Sequence, residues 1–242
     1  MTPDDGRAAT AGSRVSFRRP LLVAVVTTAV VTALSYGLPE EYAATGVGFG
    51  FLAATWWVVL RHDSAVVAHH GLSLGGLFDP EPLSARRLTR EAARALGFAA
   101  LIALIVFPFF WVGYVMWWKP TLPFSPAPPP RLNEDVLGQL LVIALPEEAF
   151  YRGYLQTAFD DAFRRHVKLL GVRVGPGLLV SAALFAAGHV LTKVDPNRLA
   201  VFFPALLFGW LRARTGGVGA PIAFHAMSNL FADYLARSYG FH

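Results

Sequence analysis

Apolar runs of about 20 residues recur along this 242-residue chain, and they limit what it can fold into, because a helix of that length crosses a bilayer. The runs fall at roughly 20–38, 43–60, 95–118, 135–159, 177–191, 199–211 and 218–239, the fifth and sixth shorter than the rest. Hydrophobic residues make up 55% of the chain and charged residues 15%, where soluble domains carry about 25% charge. This predicts an all-α integral membrane protein, a bundle of about seven transmembrane helices. Residues 1–19 read as a polar, basic cytoplasmic tail and 20–242 as a single polytopic membrane domain without internal repeats. The first run ends in Ser-Tyr-Gly-Leu-Pro-Glu-Glu (35–41), a poor cleavage site, so it reads as a retained anchor.

The net charge of +5 does not point to nucleic acid, because the basic residues sit in short stretches beside apolar runs. Arg7, Arg14, Arg18 and Arg19 precede the first run. Arg61 and Arg86 to Arg94 follow the second, Arg164 to Arg173 the fourth, and Arg212 and Arg214 the sixth. The positive-inside rule places these loops in the cytoplasm, with the N-terminus inside and the C-terminus outside. The alternate loops hold only Lys119, Arg131, Lys193 and Arg198. Residues 119–131 are proline-rich and read as an extended connector. Residues 160–174 place Phe163, Val167 and Leu170 opposite Arg164, Arg165, Lys168 and Arg173, which predicts an amphipathic interfacial helix. With no cysteine, disulfides, thiolate metal ligands and a cysteine nucleophile are excluded.

Against this apolar background, residues 145–152 (Leu-Pro-Glu-Glu-Ala-Phe-Tyr-Arg) stand out. A charge at membrane depth costs roughly 2.5–3.5 kcal/mol, so three in one span imply partners. Glu148 and Arg152 are i and i+4 on one helical face, the favourable order for an ion pair. Glu147 is rotated by about 100° and is left free of that pair. Two further pairs share the spacing: Phe185 with His189, and His225 with Asn229. Taken singly, each has a plain structural reading: an ion pair between helices, a satisfied core histidine, an interhelical amide. Gln156 and Asp233 read either as members of the same network or as surface groups. Facing inward together, carboxylates, imidazoles and an amide suit hydrolysis. A carboxylate takes a proton from water, an imidazole shares it, and N–H donors stabilise an oxyanion. Ser181 has no lysine or histidine neighbour to mark it as a nucleophile.

In order and spacing, Glu147-Glu148-x-x-x-Arg152, Phe185-x-x-x-His189 and His225-x-x-x-Asn229 resemble the three motifs of the CAAX protease and bacteriocin-processing (CPBP/Abi) family of intramembrane glutamate proteases. The resemblance covers about 140–236, within a protease core of about 135–240. It implies a helical bundle around a polar catalytic cavity, an endopeptidase without a cofactor, and a membrane-associated protein or peptide substrate, with C-terminal tail processing among the family's activities. Glu147 and His189 would activate water, and His225 and Asn229 would form the oxyanion site. Glu148 and Arg152 would lend electrostatic support, and Phe185 would shape the cavity wall. The short loops, rich in arginine on the cytoplasmic side, resemble those of bacterial members, which implies a multi-pass inner-membrane protein. Two other readings use the same residues. One is a zinc hydrolase with Glu147 or Glu148, His189 and His225 as ligands, although the chain lacks the H-E-x-x-H mark. The other is a non-catalytic peptide-binding immunity or scaffold protein.

Overall fold

The computed structural model describes residues 16–78 and 82–241. Most of the basic tail expected at 1–19, including Arg7 and Arg14, lies outside the described residues. The chain is an all-helical membrane protein with one small β-hairpin. Helices α1 (Arg18–Gly37) and α2 (Glu40–Thr55) are joined by a short turn, and α2 runs on through a π turn, Trp56–Leu60. Helix α3 (Ser64–His69) is capped by Asp63, whose carboxylate accepts from the Val66 N–H at 2.9 Å. Helix α4 (Ala85–Trp118) begins at a Ser84 cap. Among the described residues, three helices are long and apolar enough to cross a membrane: Arg18–Gly37, Glu40–Leu60 and Ala85–Trp118. On α4, Leu101, Leu104, Phe109 and Met116 face outward, where a lipid environment would cover them. At 119–131 the connector is non-helical, as expected, and it is tied to the end of the last helix. There the Ser125 N–H donates to the Ser238 carbonyl at 2.9 Å.

Residues 132–163 form one helical path that alternates between α and π windings. It runs through α5 (Leu132–Leu137), a π turn at Gly138–Ala144, α6 (Leu145–Glu148), a π turn at Ala149–Gln156 and α7 (Thr157–Phe163). Two π segments flanking the paired glutamates are unusual, and π-bulges gather at functional sites. Helices α8 (Pro176–Thr192), α9 (Phe202–Thr215) and α10 (Gly219–Ser238) complete the bundle. Of these, α8 is apolar but shorter than a full span. Helix α10 packs on α4 and α9, α8 packs on α9 and α1, and α2 packs on α6. The 132–163 path therefore has neighbours on several sides, and its Phe150, Tyr151, Leu155 and Phe159 are core residues.

The interfacial helix expected at 160–174 is not there. Helix α7 stops at Phe163, Arg164 adopts a left-handed conformation (φ 52°), and the chain turns into an antiparallel hairpin, β1 (Val167–Leu169) and β2 (Val172–Val174). Leu170 (φ 48°) and Gly171 (φ 80°) make the turn, the paired positive φ values that match strand twist in a two-residue hairpin. Val172 and Val174 are buried and Arg173 is exposed. The apolar residues alternate with period two, and the helical reading took that alternation for 3.6.

Candidate active site

Helices α1, α2, α8 and α10 and the 132–163 path enclose a cavity of about 520 Å³. Glu147, His189, His225 and Asn229 all line it, together with Tyr151, Lys193 and Arg198. Four of the predicted site residues thus line one cavity, although they come from three separate stretches of chain. Close helix packing brings them there. Helix α2 passes so near the 132–163 path that a Cβ on Gly48 would lie 2.5 Å from the Val142 carbonyl. A Cβ on Gly188, beside His189, would lie 2.9 Å from the Tyr151 hydroxyl.

The two adjacent glutamates differ sharply. Glu148 is fully buried, and its Oε1 accepts from Arg152 Nη1 at 2.9 Å and from His225 Nδ1 at 2.8 Å. Arg152 is equally buried and also donates to the Ala205 carbonyl at 3.2 Å. Its guanidinium lies over the rings of Phe185 at 4.4 Å and Phe208 at 5.1 Å, stacking that suits a planar, weakly hydrated cation. Glu147 keeps 13% of its side-chain surface and lines the cavity, with His225 Nε2 3.8 Å from its Oε2. Among the described residues that Oε2 has no hydrogen-bond partner.

Backbone and side-chain contacts orient both imidazoles. His189 Nδ1 lies 3.0 Å from the Phe185 carbonyl. A carbonyl can only accept, so Nδ1 carries a proton and a neutral His189 presents the Nε2 lone pair. His225 is held through Nδ1 on Glu148 and stacks on Phe208 at 4.7 Å between ring centroids. The Asn229 amide donates from Nδ2 to Gln139 Oε1 at 2.8 Å, leaving its second N–H free to act elsewhere.

Several expectations are corrected here. Phe185 is only 1% exposed and sits one layer behind the cavity wall rather than on it. It packs 4.3 Å from the His189 ring and 5.0 Å from Tyr151, because its i, i+4 spacing puts it directly beneath His189. Gln156 is buried away from the cavity and donates to the Gly209 carbonyl at 3.0 Å. Asp233 pairs with Arg237 at 2.7 Å, outside the site. Sequence reasoning missed Gln139, although a lone amide within an apolar run was a visible signal. It also missed Lys193 and Arg198, which it had treated only as loop charges.

A second polar cluster lies at the α3 end, where His69 Nε2 approaches Asp161 Oδ2 at 2.8 Å and Arg212 donates to the His69 carbonyl at 3.1 Å. His70 stacks on Tyr154 there, and burial holds its imidazole below the ordinary histidine range. Among the described residues, no three His, Asp or Glu side chains are grouped to hold a metal ion. Glu148 is committed to Arg152 and His225, which leaves Glu147 as the carboxylate of the pair that lines the cavity.

Neither a curated protein nor a solved structure matches the chain. Residues 133–231 match the family model described as type II CAAX prenyl endopeptidase Rce1-like. The matched segment holds all three motifs, every one of the four convergent side chains, and the buried pair behind them. Over that segment the chain is similar to the CAAX protease family its motifs resemble, and the similarity supports an intramembrane protease.

Proposed function

We propose that this protein is a glutamate-type intramembrane endopeptidase that hydrolyses a peptide bond in a membrane-associated protein or peptide. The observation that carries the reading is that Glu147, His189, His225 and Asn229 all line one cavity. A water bound there donates one hydrogen bond to the Glu147 carboxylate and a second to the His189 Nε2 lone pair. One of its lone pairs then points at the substrate carbonyl. Glu147 takes the proton as the oxygen attacks, and the carbonyl becomes a tetrahedral oxyanion. The free Asn229 N–H donates to that oxyanion. His225 joins it through Nε2–H when the ring carries both protons, since Nδ1–H is held by Glu148. Collapse of the intermediate breaks the C–N bond, and Glu147 returns its proton to the leaving amine.

Glu148 and Arg152 act from behind the wall. They anchor His225 and fix where its second nitrogen points. The reading needs no cofactor and places the chain as a multi-pass protein of a bacterial inner membrane, N-terminus inside. The test compares membrane peptides, by mass spectrometry, in cells producing the wild-type, Glu147→Ala or His189→Ala protein. The reading expects peptides that are cut only with the wild-type protein, at equal membrane levels of all three. Equal cutting by either variant contradicts it.

A further inference from the structure

The cavity wall carries one acid, Glu147, and two bases, Lys193 and Arg198. The bases come from the end of α8 and the 3-10 turn that follows it, Pro196–Val201. Lys193 is four residues past His189, about 6 Å along the helix axis at 1.5 Å per residue. Arg198 is only partly exposed, and its charge acts on both Glu147 and His189. Neither the Lys193 nor the Arg198 side chain has a hydrogen-bond or ion-pair partner among the described residues. Both also belong to the loops that are poor in basic residues, where the positive-inside rule gives no reason for them. A partly enclosed cation gains most from a full negative charge, and a peptide carries one at its C-terminus whatever its sequence.

We propose that Lys193 and Arg198 form a carboxylate-binding subsite at the rim of the cavity, which holds the free C-terminal carboxylate of the peptide presented to Glu147. This rests on the protease reading for what happens next, but the binding itself does not. Two cations on the lining of the same cavity would fix the end of the peptide and so the direction in which it lies. They also favour bonds near a chain end over bonds deep within a folded partner. The shared chemistry is a carboxylate, and its two sources are the chain terminus and an acidic side chain.

The test uses full-length protein in dodecyl maltoside micelles and a fluorescein-labelled hexapeptide library of random sequence without Asp or Glu. The library is made with a free C-terminal carboxylate, as its carboxamide, and as a carboxamide with one fixed Asp. Binding is read by anisotropy on the Glu147→Gln protein and hydrolysis on the wild type. The acid library should bind about tenfold or more tightly than the carboxamide. Adding Lys193→Gln and Arg198→Gln should bring the two together while affinity for the carboxamide holds. The distant pair Arg165→Gln and Lys168→Gln should keep the preference, which removes general charge attraction as the cause. Equal affinities for acid and carboxamide in the Glu147→Gln protein overturn the proposal, as does a preference that survives loss of both cations. An Asp-containing carboxamide that binds as tightly as the acid overturns the assignment to the chain terminus. If the preference depends on Lys193 and Arg198 while the wild type cuts neither library, the subsite is supported and the protease reading fails.

Discussion

Glu147 and Glu148 are neighbours in sequence, yet they belong to different regions. The cavity wall, with Glu147, His189, His225 and Asn229, keeps lone pairs and N–H groups turned toward open space. The layer behind it, with Glu148, Arg152, Phe185 and Phe208, is dry and turned on itself, with guanidinium, carboxylate and rings in mutual contact. One helical step separates the two, which is how one short motif serves both. On the proposed reading, the buried Glu148–Arg152 pair holds His225 in place for the group that reacts at the cavity. If that division is right, wall substitutions remove activity and spare the fold, and substitutions behind the wall damage the fold first.

The sharpest way to break the comparison is Glu147→Gln. It should lower peptide hydrolysis on the order of 10²- to 10⁴-fold and leave the thermal midpoint unchanged, both measured on purified protein. Arg152→Met tests the other region. It leaves Glu148 buried without its cation, which should cost about 3–5 kcal/mol of stability and show as a loss of folded protein in the membrane. Restoring both sides to apolar groups, as in Glu148→Leu with Arg152→Leu, should recover much of that stability and none of the activity. Asn229→Ala should lower kcat on the order of 10²-fold with KM unchanged, as removal of one oxyanion donor does.

Gln139 sharpens the boundary between wall and support. Gln139→Ala should lower kcat about tenfold through the misplaced Asn229 amide, whereas Gln139→Glu, which keeps an acceptor for Nδ2, should restore most of it. A purely structural role would instead move the melting temperature and leave the kcat to KM split untouched. The smallest effect is expected for Gln156→Leu. It loses one hydrogen bond to the Gly209 carbonyl, about 1 kcal/mol, with no change in hydrolysis.

The i, i+4 spacing made the Glu148–Arg152 pair legible in the sequence, because helical geometry alone puts those two side chains on one face. The same spacing identified His189, His225 and Asn229, but it could not say which atoms face which. His225 reaches Glu148 through tertiary packing of α10 against the 132–163 path, and no local pattern encodes that. The π turns on either side of α6 were hidden as well. A winding change leaves no residue signature of its own, yet it alters which way every later side chain points. At 160–174 the period was misread, because Leu170 and Gly171 form a turn where the helical reading placed a continuous face. Lys193 and Arg198 were visible only as loop charges, since their meaning depends on the cavity they border.

The claim that Glu147 activates a water molecule against a peptide bond is tested most directly by capture and release. Peptide that copurifies with the Glu147→Gln protein is recovered and given to the wild-type protein in water enriched in ¹⁸O. The account predicts two fragments, with one ¹⁸O in the newly formed carboxylate, and no cutting when the same peptide meets fresh Glu147→Gln protein. Peptide released intact from the wild-type protein would contradict it.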